Sequence, residues 1–163
     1  MKVMLLIGGK GTRLRPLTFD MPRAMIEVDG KPFLEYQLAI LKKWGFKEFI
    51  FLTGYKAELI HEYFGNGSKW NVKIEYAFEK ELLGTAVAIK NAEGLVKGTG
   101  AFLALNGDSV HSLDFRKFVE YHKKKHALAT MAICKLPNPS RSGLVQTNKE
   151  GDIISFIEKG QGP

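Results

Sequence analysis

The sequence predicts an α/β fold: a mostly parallel sheet with helices on both faces. Two observations predict it. Short apolar runs that end in glycine or in Asn-Gly-Asp alternate with stretches of helical spacing from Lys2 to about Lys125. Such alternation calls for crossover connections between parallel strands. Hydrophobic residues make up 45% of the chain and charged residues 25%, the balance of a globular protein.

The elements follow in order. Lys2–Ile7 is an apolar run that stops at Gly8-Gly9, a buried strand entering a loop. Asp29-Gly30 signals a turn, and beyond it Leu34, Leu38, Leu41 and Trp44 recur at helical spacing until Gly45. Glu48–Thr53 reads as a strand broken at Gly54, and Leu59, Ile60, Tyr63 and Phe64 form a helical stripe ended by Gly65-Asn66-Gly67. In Val72–Ala77 the apolar Val72, Ile74 and Tyr76 alternate with Lys73 and Glu75, a strand pattern. Gly84–Ala92 starts a helix of small residues. Ala101–Leu105 is another buried strand, closed by Asn106-Gly107-Asp108. Phe115, Phe118, Val119 and His122 share a helix face, and strands are expected at Ala127–Cys134, Gly143–Thr147 and Ile153–Ile157. With no internal repeat or linker, residues 1–163 read as one domain. Ligands of such sheets bind beyond the carboxyl ends of the strands, where Gly8–Arg13, Gly84-Thr85 and Asn106–Asp108 would lie.

The longest apolar runs, Val3–Ile7 and Ala101–Leu105, fall far short of the roughly 20 residues of a membrane span. A secretory signal is also absent, so the cytoplasm is the expected location. Cys134 is the only cysteine and lies in a strand-like run, so a buried thiol is expected. The net charge of +7 suits an anionic partner, a nucleotide or a sugar phosphate. No basic stripe interleaved with aromatics marks a nucleic-acid surface, and Lys123–Lys125 at a helix end read as solvated. His122 and His126 are spaced i, i+4, but the lysines between them would repel a divalent cation and no third ligand suggests itself.

The stretch Gly8–Arg13, GGKGTR, is not a P-loop. A P-loop has Gly, four intervening residues and then Gly-Lys-Ser/Thr; here the first position is Met4, the residue after Lys10 is Gly11, and Pro16 precludes a following helix. The dinucleotide pattern G-x-G-x-x-G fails as well, at Leu14. What remains is a long glycine-rich loop with Arg13 and Arg15. Glycines let backbone N–H groups approach a ligand closely, and an arginine fork matches phosphate oxygens. Such a loop suits a triphosphate without a helix behind it.

Leu6–Met25, LIGGKGTRLRPLTFDMPRAM, resembles the pattern G-G-x-G-T-R-L-x-P-L-T…P-K-P-M of the sugar-1-phosphate nucleotidylyltransferases, or nucleotide-sugar pyrophosphorylases. The likeness continues through Gly30–Leu38, Gly65–Tyr76, Leu83–Ala92, Asn106-Gly107-Asp108, Gly143 and Phe156–Lys159, and so spans nearly the whole chain. It is strongest in feel toward mannose- and mannoheptose-1-phosphate guanylyltransferases. It implies a Rossmann-like α/β/α sandwich in which a sugar 1-phosphate attacks the α-phosphorus of a nucleoside triphosphate and pyrophosphate leaves. By the same resemblance, the nucleotide is bound by Leu6, Gly8, Gly9, Gly11, Thr12, Arg13, Glu79, Gly84 and Thr85. Asn106, Gly143, Glu158 and Lys159 contact the sugar phosphate. Arg13, Arg23, Asp108 and Lys159 are the catalytic set, and Asp108 holds Mg²⁺. The lysine of P-K-P-M falls on Arg23, which keeps the charge but replaces a point ammonium by a wide fork. Relatives usually continue past the Glu-Lys motif with further sugar-binding strands and a second metal-binding Asp. The resemblance therefore predicts a site open on one side and weak or absent turnover for these 163 residues alone.

Glu79 aligns with the side chain that reads the base in thymidylyl relatives, usually Gln. An ionised Glu only accepts hydrogen bonds, and guanine offers N1–H and N2–H₂ side by side. Thymine and uracil offer one donor flanked by acceptors. GTP is thus the expected nucleotide, with a manno-configured sugar; the neighbours Lys80 and Glu81 would equally suit a surface residue at 79. Two further readings stay open: a nucleotide-binding or regulatory module without turnover, and the same reaction with dTTP, UTP or CTP. A homo-oligomer stays open too. Tyr55-Lys56 follows a strand end and could border the site, with a capping loop the preferred reading, and Ser109 has no visible His/Asp partner to make it a nucleophile.

Overall fold

A computed structural model describes residues 1–81, 84–137 and 142–157. The chain divides into two compact units, Met1–Ser112 and Leu113–Pro163.

In the first unit, strand β1 (Lys2–Leu6) leads into the glycine loop. The two-residue strands β2 (Glu27–Val28) and β3 (Lys31–Pro32) pair antiparallel around Asp29-Gly30, both at positive φ (49° and 73°). Helix α1 (Phe33–Lys43), strand β4 (Glu48–Thr53), helix α2 (Ala57–Phe64) and strand β5 (Lys73–Phe78) follow. Helices α3 (Thr85–Asn91) and α4 (Glu93–Val96) then lead to strand β6 (Phe102–Asn106).

The sheet order is β5-β4-β1-β6, with every pairing parallel. The chain steps outward from β1 through β4 to β5, then returns across the sheet to β6. Right-handed crossovers therefore put α1 and α2 on one face and α3 and α4 on the other. Strand residues sort accordingly. Met4, Ile50 and Leu52 are buried with Ala88 of α3 and with Ala92. On the opposite face Phe51 meets Phe64 of α2 edge to face, with ring centroids 5.5 Å apart. Leu34, Leu38 and Leu41 form the buried stripe of α1, while Trp44, just past the helix end, stays 39% exposed.

The path reverses between β1 and β6, and loops leaving those two strands diverge there. This is the place where open α/β sheets form a ligand crevice. Close approach depends on Gly107: a Cβ there would overlap Ile7 Cγ2 and sit 3.2 Å from the Leu6 carbonyl oxygen, to which Gly107 N–H donates at 3.0 Å.

In the second unit, helix α5 (Phe115–Lys125) is capped by the Asp114 carboxylate, which accepts from Lys117 N–H at 3.0 Å. Lys123–Lys125 are exposed in its last turn, where cations complement the helix dipole. Strands β7 (Leu144–Thr147) and β8 (Ile153–Ile157) form an antiparallel hairpin.

Two expectations are corrected here. Ala127–Cys134 forms no strand, and Cys134 is exposed rather than buried. An apolar run becomes a strand only when a neighbour pairs its backbone and covers a face. Leu128, Met131 and Ile133 are all exposed in this segment. Among the described residues no helix is long and apolar enough to cross a membrane.

Candidate active site

The ends of three adjacent strands converge on Gly8. Its carbonyl accepts from Tyr55 N–H beyond β4 at 3.0 Å, and a Cβ at Gly8 would lie 3.2 Å from Gly54 N and 3.2 Å from Glu79 Oε2. A side chain at position 8 would crowd both neighbours. Gly9, next in the chain, has nothing within 4 Å of where a Cβ would stand and faces open space. Gly11 turns the loop at φ 59°, with Thr18 and Arg23 each 3.0 Å from its would-be Cβ. Thr12–Leu14 then make a single tight helical turn that leaves Arg13 exposed.

Glu79 follows β5 and is 7% exposed. Its N–H donates to the Thr53 carbonyl at 2.8 Å, which fixes the backbone. Its Oε1 is buried without a hydrogen-bond partner, and so is Oγ1 of Thr53. Burial raises the Glu79 carboxyl above its ordinary range. A buried acceptor lacking a donor costs free energy until a donor arrives. Residue 79 is thus a buried position with an unpartnered carboxylate oxygen, and the reading of it as a surface position does not hold.

Asp108 stands after β6 and forms an ion pair with the guanidinium of Arg23. Its other oxygen, Oδ1, accepts from Ser109 Oγ at 3.3 Å. Behind it, buried Gln37 of α1 donates Nε2–H to the Asn106 carbonyl at 2.9 Å and so holds the turn that carries Asp108. Arg23, Asp108, Gly9, Leu6, Ile7 and Ala24 line one cleft at the β1–β6 switch point. Among the described residues no three His, Cys, Asp or Glu side chains gather as a metal-binding group. A single carboxylate nonetheless fits a hard cation such as Mg²⁺, which keeps waters and takes its other ligands from substrate phosphates.

The cleft therefore brings together Leu6, Gly9, Arg23 and Asp108, with Gly8, Gly11 and Glu79 around the glycine loop. Gly84 and Thr85 are exposed at the start of α3, where Gly84 has φ 95° and ψ 169°, a conformation nearly restricted to glycine. Gly143 precedes β7 in the second unit. Glu158 and Lys159 lie outside the described residues, as does Leu83. No role was expected of Gln37 from the sequence; its role comes from side-chain reach across the fold.

The profile of the Nucleotidyl transferase family matches residues 2–163. The chain is 34% identical over 160 residues to the mannose-1-phosphate guanylyltransferase of Mycobacterium tuberculosis, covering 98% of this chain and 44% of that one. It is 38% identical over 160 residues to the D-glycero-alpha-D-manno-heptose 1-phosphate guanylyltransferase of Aneurinibacillus thermoaerophilus, covering 98% and 68%. The chain thus spans less than half the length of the first relative. Among solved structures, HddC of Yersinia pseudotuberculosis complexed with GMP-PN superposes with a TM-score of 0.79 at 31% identity, over 98% of this chain and 69% of that one.

Proposed function

Because the chain belongs to the nucleotidyl transferase family, we propose that it joins GTP to a manno-configured sugar 1-phosphate, giving a GDP-sugar and pyrophosphate. One observation carries this reading. The glycine loop, Arg23, Asp108 and the unpartnered carboxylate of Glu79 surround the carboxyl ends of adjacent parallel strands.

The chemistry asks the protein to bring two polyanions together and to oppose their charge. An oxygen of the sugar phosphate attacks the α-phosphorus in line, and the bond to the β-phosphate oxygen breaks. The bare N–H groups of Gly8, Gly9 and Gly11 follow the triphosphate. Arg13, exposed at the loop's outer turn, holds the departing pyrophosphate. Arg23 offers a fork to phosphate oxygens near the point of attack. Asp108 would hold Mg²⁺, which when bound offsets phosphate charge. Glu79, 7% exposed at the end of β5, accepts the N1–H and N2–H₂ of guanine. Asn106, Gly143, Glu158 and Lys159 are assigned to the sugar phosphate, and Leu6, Thr12, Gly84 and Thr85 to the nucleotide, on the resemblance alone.

A second reading, a module that binds nucleotide without turning it over, is favoured by Arg23 standing where the resembled pattern has lysine. Pyrophosphate release decides between them. The protein is supplied with each nucleoside triphosphate, Mg²⁺ and mannose 1-phosphate or a mannoheptose 1-phosphate. Release with GTP supports the transferase. Nucleotide binding without release supports the module.

A further inference from the structure

The loop from Gly8 to Asp20 has no long helix behind it, and its glycines make it costly to order. Part of its shape is internal. Thr18 Oγ1–H donates to the Gly11 carbonyl at 2.9 Å, Leu14 N–H to the same carbonyl at 2.9 Å, and Phe19 N–H to the Pro16 carbonyl at 3.1 Å. The ties from the loop to the sheet converge on two successive residues after β4. Tyr55 N–H donates to the Gly8 carbonyl at 3.0 Å, at the near end. The Tyr55 hydroxyl reaches the far end, 2.6 Å from the Phe19 carbonyl oxygen and 3.2 Å from that of Thr18. Lys56, in the left-handed conformation at φ 51°, adds an ion pair with Asp20 at 3.9 Å.

We propose that Tyr55 is a positioning residue that clasps both ends of the loop Gly8–Phe19 and holds it in its nucleotide-binding shape. The proposal rests on the loop function given above. The backbone N–H fixes where the loop begins, and the phenol fixes where it returns. Between those points the glycine N–H groups are held ready for phosphate oxygens. Removing the hydroxyl loosens the far end, where the Lys56–Asp20 pair remains, and leaves the near end tied.

The test is Tyr55→Phe, with Tyr63→Phe as control, since the Tyr63 hydroxyl donates to Glu35 Oε2 at 2.8 Å away from the loop. Trypsin reads the loop directly at the Lys10–Gly11 and Arg13–Leu14 bonds. Cleavage there is expected to rise about 3–10-fold in Tyr55→Phe, the scale of one net hydrogen bond. Cleavage after Lys90 in α3 should rise less than cleavage within the loop, and loop cleavage in the control should stay at its unsubstituted value. The dissociation constant for GTP with Mg²⁺ should weaken by a similar factor. Unchanged loop cleavage in Tyr55→Phe would overturn the proposal, and so would an equal rise after Lys90, which would mean general loosening. If the unsubstituted protein bound no triphosphate, the functional reading would fail, while the protease rates would still decide the clasp.

Discussion

The guanidinium of Arg23 lies on the carboxylate of Asp108, joining the loop after β1 to the turn after β6 across the cleft. The two side chains are 42% and 18% exposed, so the pair is partly hydrated and of modest strength. In the proposed reaction both are needed elsewhere, Arg23 for phosphate and Asp108 for the metal. A cation arriving at Asp108 competes with Arg23.

Arg23→Ala should therefore bind Mn²⁺ more tightly than the unsubstituted protein, by about 2–5-fold, the scale of a partly exposed ion pair. Asp108→Asn should abolish that binding. Titration followed by electron paramagnetic resonance reads both. Mn²⁺ affinity indifferent to both substitutions would remove Asp108 from the metal role.

In the proposed reaction Glu79 links base choice to pH. Burial raises its carboxyl above the ordinary value of 4.5. A group raised in the folded state contributes stability that is full below the unfolded value and lost as pH rises through the folded value. Glu79→Gln should accordingly melt higher than the unsubstituted protein at neutral pH, with the gain vanishing toward pH 4. The charged carboxylate is the form that accepts from guanine, so GTP affinity should rise with pH across the same window in the unsubstituted protein and stay flat in Glu79→Gln. The substitution should also cost about 1–3 kcal/mol of GTP preference over UTP, the scale of one bidentate base contact. Thermal melts and calorimetric titrations at several pH values together measure all three.

Two glycines separate packing from binding. Gly107→Ala would push a methyl group into Ile7 and should cost about 1–3 kcal/mol of stability in urea unfolding. Gly9→Ala meets nothing within 4 Å and should leave stability unchanged while weakening nucleotide binding. Equal stability losses in the two variants would contradict the packing described.

Much of this was legible in the sequence because local chemistry carried it. Glu48–Thr53 reads as a strand to the residue, since its buried run ends at a glycine. The hairpin strands near Gly143 and Ile153 are marked by the same punctuation. The glycine loop declares itself through residues that only a close ligand or a tight turn requires. What the sequence hides is contact between distant segments. The resemblance put Arg23 and Asp108 in one site, but nothing in PRAM or NGD announces that the two side chains pair. The neighbours Lys80 and Glu81 suit a surface residue at 79 and only the resemblance put Glu79 at the site; the end of β5 turns it inward against Gly8. Tyr55 looks like a cap because its hydroxyl's partners, the carbonyls of Thr18 and Phe19, have no side-chain signature. Ala127–Cys134 errs the other way: its composition suits a strand, but pairing belongs to the neighbour as much as to the segment.

The most direct test of the central claim is equilibrium titration of the protein with GTP, ATP, UTP, CTP and dTTP in the presence of Mg²⁺, repeated with Arg13→Ala. The account predicts that GTP binds at least about tenfold more tightly than the pyrimidine nucleotides, the order of one good base contact. It also predicts that Arg13→Ala weakens every nucleotide alike, since phosphate contacts carry no base information. Failure of all five to bind, or binding untouched by the loss of Arg13, would contradict it.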